Sequence, residues 1–302
     1  MKRVLITGVN GLLGQNLQRA LAGTHSLSGV DLQPEAYLPG LNEYATLDIT
    51  DRTQVAEFFK KRRFDWIVNT AAMTNVDLCE TERERAERIN TGGVAALISE
   101  KGAACRFMQI STDYVFDGAA GPYSDTAKPN PVGFYGETKY RAEQLVLGHS
   151  PLDCVVRIMV LYGTGKGLRP NFIDWVVSSL RAGKTIPVVT DQTGNITLAS
   201  NCARNIGALI NNDVSGIISF AGADILSRYD IACAVARHFS LNEALIRPIA
   251  TAELKQAAPR PLKSGFLMER ARAMDGITLL TFKEQLLRYE REQKDADYPA
   301  NV

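Results

Sequence analysis

The chain has 302 residues, enough for a large core in one or two domains, and carries 34 Lys and Arg against 33 Asp and Glu. A net charge of +1 supplies no field to attract a nucleic acid or an anionic membrane, and no apolar stretch nears the roughly 18 residues of a membrane span. Its five cysteines (Cys79, Cys105, Cys154, Cys202, Cys233) are scattered without a C-x-x-C pair, which argues against a disulfide framework or a Cys-rich zinc site and for a reduced, cytoplasmic, enzyme-like protein.

The first predicted strand, 3–7, runs into Gly8-Val9-Asn10-Gly11-Leu12-Leu13-Gly14, a G-x-x-G-x-x-G turn that opens a predicted helix over 14–21. Such a turn bends tightly at the first glycine, lets a pyrophosphate approach the backbone at the second, and packs helix on strand at the third. The helix start adds free N–H groups and a partial positive charge. Gly8, Asn10, Gly11, Leu12 and Leu13 are therefore candidate cofactor-binding residues.

The second predicted strand, 27–30, ends at Asp31, which lies 20 residues after Gly11 (31 − 11). A carboxylate there can accept from an adenosine ribose and repel a 2′-phosphate, so NADH is expected over NADPH, with Asp31 and Leu32 at the ribose. After the third strand, 45–47, Asp48 and Ile49 stand where they reach an adenine edge, although Thr50 and Asp51 suit a helix cap equally well.

Predicted strands continue at 66–69, 107–110, 154–159 and 217–220, with predicted helices at 52–61, 82–100, 133–147 and 171–181. Their continuous apolar character and βα rhythm predict parallel strands buried on both faces, hence an α/β doubly wound Rossmann sheet. Beyond 163 the rhythm loosens. Residues 188–201 read as extended, 228–238 and 282–291 as helical, and 293–302 as a polar tail. The expected division is a dinucleotide-binding domain over 1–163, with 186–222 returning to it. A smaller C-terminal substrate-binding lobe then takes 164–185 and 223–302.

Two further features carry chemistry. Tyr135 and Lys139, four apart on a predicted helix, share one face, where an ammonium favours phenolate and readies the tyrosine as an acid or base. Thr112, just after the fifth strand, sits where ligands bind in such sheets and can hydrogen-bond a substrate carbonyl.

With the glycine turn, Thr112-Asp113-Tyr114-Val115-Phe116 and Tyr135-x-x-x-Lys139 in this order, the chain resembles the extended short-chain dehydrogenases/reductases. Asp191-Gln192 and Arg260-Pro261-Leu262-Lys263-Ser264 narrow the resemblance to the dTDP-4-dehydrorhamnose reductases. It implies reduction of the C4 ketone of a 4-keto-6-deoxy sugar nucleotide by NADH or NADPH. Tyr135 would be proton donor, Lys139 its partner and Thr112 the polariser. Ala71, Ala72 and Met73 would line the cofactor, and Asp113, Val160 and Arg260 the sugar nucleotide. Dehydratases of the superfamily carry Asp-Glu after the Thr, whereas this chain has Asp113-Tyr114. A 4-epimerase uses the same Tyr and Lys and stays open, as does reduction of another sugar. A non-catalytic cofactor-binding subunit, like the β subunit of methionine adenosyltransferase, is the rival from another class. The resemblance also leaves room for a homodimer. Two departures stand out: Val160 replaces a substrate-facing Trp, and Asn16 replaces a Glu that binds Mg²⁺ in some members, so no metal is expected.

Overall fold

In a computed structural model, residues 1–295 are described. Strands β1 (Arg3–Thr7), β2 (Ser26–Asp31), β3 (Glu43–Thr46), β4 (Trp66–Asn69), β5 (Arg106–Thr112) and β6 (Cys154–Ile158) alternate with helices. These are α1 (Leu12–Leu21), α2 (Arg52–Phe59), α3 (Val76–Thr81), α4 (Arg83–Glu87), α5 (Gly93–Glu100) and α6 (Phe134–His149). The later elements are β7 (Leu161–Tyr162), α7 (Phe172–Arg181), β8 (Ile186–Val189), β9 (Thr193–Gly194), β10 (Thr197–Leu198), α8 (Ala199–Asn211) and β11 (Gly216–Ser219). They close with β12 (Leu226–Ser227), α9 (Arg228–His238), β13 (Ile246–Ile249), α10 (Glu269–Arg272) and α11 (Phe282–Lys294).

Seven strands form one parallel sheet in the order β11-β6-β5-β4-β1-β2-β3. The order reverses between β1 and β4, and ligands of open α/β sheets bind in the crevice that such a reversal opens. One apolar layer, including Leu17 and Leu21 of α1 and Ile206 and Leu209 of α8, covers one face of the sheet. The other face meets Val55, Leu97 and Val146 of α2, α5 and α6. Thr7, Asn69 and Gln109 lie in register on β1, β4 and β5 and are joined by buried side-chain hydrogen bonds, which lock the strand ends beneath the crevice.

The 186–222 stretch packs in two places. Ile186 and Val188 of β8 pack with α7, α9 and α11, and β8 pairs with β13. From 199 onward the chain serves the sheet, through α8 against α1 and β11 beside β6. Three expectations are corrected. The extended reading of 188–201 fails at Ala199, where α8 begins; its buried face of Cys202, Ile206 and Leu209 is helically spaced. The helix predicted over 82–100 is interrupted by a wide π turn at Arg88–Gly92. The polar tail is helical through Lys294, and 296–302 fall outside the described residues. All five cysteines are buried thiols, and no described helix is long and apolar enough to cross a membrane.

Candidate active site

The crevice has two connected halves. One, of about 590 Å³, is lined by Gly8, Asn10, Gly11, Asp31, Leu32, Asp48, Ile49, Ala71, Ala72 and Met73. The other, of about 510 Å³, is lined by Leu12, Leu13, Thr112, Asp113, Tyr135, Lys139 and Val160. Gly11, Thr70 and Ala72 belong to both. Of the candidate cofactor, catalytic and substrate residues read from the sequence, only Arg260 lines neither half. Its guanidinium is held by Asp77 at 2.7 Å and by the Ala258 carbonyl at 3.0 Å, so its charge is already met.

The first half is made of backbone. A Cβ on Gly14 would stand 2.4 Å from the Gly8 carbonyl, a contact no side chain can enter, so α1 seats directly on the turn. The Asp31 carboxylate accepts from the Asn10 amide at 3.0 Å and the Leu32 amide at 2.8 Å, tying the turn to the end of β2. The Asn10 side chain is committed to the Glu35 carbonyl and the Tyr37 amide. Asp48 accepts from the Thr50 amide at 2.9 Å and Asp51 caps α2, as the capping reading of that segment expects. Arg85 and Arg88 also line this half, two cations that sequence spacing did not single out. An adenine dinucleotide fits these features: a tight glycine turn, a long cavity and a carboxylate at the end of β2.

The second half is made of side chains. Gly136 allows it: a Cβ there would lie 2.0 Å from the Tyr114 carbonyl, so only glycine lets α6 press against the turn after β5. Tyr135 then lines the cavity with Thr112, and its ring meets Tyr114 edge-on at 5.5 Å. Thr112 also donates to Asp113 at 3.1 Å, and Ser264 donates to the other Asp113 oxygen at 2.9 Å. One turn beyond Lys139, Glu143 accepts from Arg157 of β6 through both oxygens and from Ser111 of β5 at 2.6 Å. This buried bidentate pair fixes α6 to the sheet.

Burial pushes the Tyr135 phenol well above its ordinary value, with the Asp113 charge adding to it. Burial pushes the Lys139 ammonium down to about 8, against the opposing pull of Glu143. The expectation that Lys139 lowers the tyrosine is therefore corrected. Both groups lie inside the fold, and desolvation disfavours the charged form of each. The consequence is a phenol that holds its proton at neutral pH.

Asn90, in the π turn, is a positioning residue that sequence reasoning missed. It accepts from the Met73 amide at 2.8 Å and donates to Thr138 at 3.0 Å, and Thr138 donates to the Tyr135 carbonyl at 2.8 Å. The Met73 wall of the first half and α6 are thus linked through one amide. Wide turns of this kind often mark functional sites, but no residue pattern announces them. Val160 has φ 30°, a left-handed backbone that strains a β-branched residue.

The model of the family described as RmlD substrate binding domain matches residues 1–294. A dTDP-4-dehydrorhamnose reductase of Mycobacterium tuberculosis is 33% identical over 293 residues, 92% of this chain and 89% of that protein. The crystal structure of an RfbD orthologue from Clostridium acetobutylicum, called a dTDP-4-dehydrorhamnose reductase, superposes with TM-score 0.87 at 30% identity, over 97% of this chain and 100% of that one. A dTDP-4-dehydrorhamnose reductase from Bacillus anthracis, solved in complex with NADP, superposes with TM-score 0.83 at 28% identity, over 97% and 99%.

Proposed function

The chain belongs to the RmlD substrate-binding-domain family, and from that membership we propose that it is an NAD(P)H-dependent oxidoreductase. It reduces the C4 ketone of a 4-keto-6-deoxy sugar nucleotide, with dTDP-4-dehydro-L-rhamnose as substrate and dTDP-L-rhamnose as product. The observation that carries this reading is the meeting of buried Thr112, Tyr135 and Lys139 in one cavity that continues into the glycine turn.

The glycine turn, Asp31 and Ala71–Met73 (71–73) hold the cofactor. When bound, the reduced nicotinamide supplies a hydride to C4. Tyr135 keeps its proton until the carbonyl oxygen gains charge, then delivers it. Thr112 turns its hydroxyl from Asp113 to that oxygen and polarises it. Lys139 offers a charge beside the phenol and a donor for a ribose hydroxyl, and Asp113 accepts from a sugar hydroxyl.

Asp31 repels a 2′-phosphate, so NADH is preferred, while Arg85 and Arg88 narrow the margin. Turnover needs no Mg²⁺. The Asn16 amide group donates to the Leu12 and Thr164 carbonyls, leaving one neutral oxygen where Mg²⁺ favours carboxylate and water. The thiol state of the cysteines suits the cytoplasm.

The test is a panel of 4-keto sugar nucleotides scored for NADH and NADPH consumption. Oxidation driven by dTDP-4-dehydro-L-rhamnose sustains the reading. Interconversion of 4-epimers without net cofactor consumption replaces it with an epimerase, and a flat panel with a synthetase co-purifying replaces it with a regulatory subunit.

A further inference from the structure

We propose that Arg228 grips the diphosphate of the substrate, an assignment that rests on the sugar-nucleotide reading above. Arg228 is the first residue of α9 and lines the catalytic half of the crevice with Asp113, Tyr114 and Val160. It also lines a small adjoining chamber of about 30 Å³ toward Gln192 and Ser264. Among the described residues no carboxylate forms an ion pair with its guanidinium, and no protein acceptor takes a hydrogen bond from it. What holds it is an aromatic face: the guanidinium lies 5.3 Å from the Phe172 ring centroid, and Phe172 is braced by Trp175 at 5.7 Å.

Cations in the crevice have distinct commitments. Lys139 is buried beside Tyr135. Arg260, which the motif suggested for the substrate, is consumed by Asp77. Arg85 and Arg88 lie in the cofactor half. Among the described residues, Lys139 and Arg228 are the only basic ones that line the catalytic half, and Asp113 is the only carboxylate there. A sugar nucleotide must bring a diphosphate anion close to its reacting ring. Lys139 stands beside Tyr135, where the proposed reduction occurs, so among the described residues lining this half Arg228 is the cation left for that diphosphate. Its planar fork matches two phosphate oxygens at once, and its stacking on Phe172 orders the side chain before the ligand arrives. Burial also lowers its pKa somewhat, against the pull of Tyr114 and Asp113, a cost that a bound anion offsets.

The test is calorimetric titration of the full chain, preloaded with NADP⁺ so that the cofactor's own phosphate sites are filled, with thymidine diphosphate as probe. Arg228→Met is expected to weaken the probe at least about tenfold, the loss of charge-assisted hydrogen bonds. NADP⁺ affinity should stay within about twofold, and the probe's affinity should depend less steeply on ionic strength than in wild type. A loss of packing alone would not flatten that salt dependence. Arg228→Gln, longer and polar, repeats the test should the Met variant fail to hold NADP⁺. Probe affinity within about twofold of wild type, with its salt dependence intact, overturns the assignment and leaves the reductase reading standing. If wild type takes up no thymidine, uridine, guanosine or cytidine diphosphate, the sugar-nucleotide reading falls first and this assignment with it.

Discussion

The two halves of the crevice are built from different materials. The half proposed for the cofactor is a backbone surface. Its shape comes from a glycine turn on which α1 sits directly, and from a carboxylate that accepts main-chain amides. The catalytic half is a side-chain surface in which Thr112, Asp113, Tyr135 and Lys139 are all buried. It is held at a distance by Asn90, Gly136 and the Glu143–Arg157 pair. A backbone site tolerates change wherever the chain path survives. A side-chain site depends on helices docking to within a fraction of an ångström.

The largest effect should come from Tyr135, the proposed proton donor. Tyr135→Phe is expected to lower turnover by roughly 10²-fold or more while NADH affinity stays within a few-fold. Steady-state kinetics beside a binding titration read both, and turnover close to wild type would remove the phenol from the mechanism. Gly136→Ala tests the docking itself. Its methyl would drive α6 from the Tyr114 carbonyl, and a displacement near 1 Å is worth about 10² in rate. The cofactor half should be spared, so a variant that loses cofactor affinity as much as turnover would show that the halves are not separable.

Lys139 sharpens the contrast through pH. Its ammonium is held down to about 8 by burial, so kcat/KM should fall as pH rises through about 8 and the charge beside Tyr135 is lost. Stability should move the other way. Between about 8 and its ordinary value of 10.5 the unfolded chain binds the extra proton, and stability rises with pH by on the order of 3 kcal/mol. Denaturant unfolding of wild type against Lys139→Met isolates this. A stability difference between the two that is flat from pH 7 to 10.5 would contradict it.

In the cofactor half the expected effects are smaller. Asp31→Asn removes the charge and keeps an acceptor for one of the Asn10 and Leu32 amides, which the carboxylate takes on separate oxygens. It should improve kcat/KM with NADPH by about fivefold, near 1 kcal/mol, and leave NADH little changed. A wild-type preference for NADPH would mean that Arg85 and Arg88, not Asp31, set the choice. Smallest of all, EDTA should alter activity by less than about twofold, and a large loss restored by Mg²⁺ would give Asn16 a role denied to it here.

Much of this protein was legible along the chain. Gly8–Gly14 (8–14) and Asp31 pointed to the half proposed for the cofactor, because a backbone site leaves its mark as glycine spacing beside a strand end. Tyr135 and Lys139 were legible as a pair for a similar reason, since four residues on a helix is a local distance. Tertiary structure alone decided the rest. The motif offered Arg260 to the substrate, but Asp77, 183 residues away, neutralises it. Helical spacing predicted a lowered Tyr135, but desolvation by the whole fold raises it. Asn90, Gly136 and Arg228 carry no motif, and their importance lies in what stands opposite them. Local geometry is written in neighbouring residues, whereas burial and charge compensation are sums over everything the folded chain brings together.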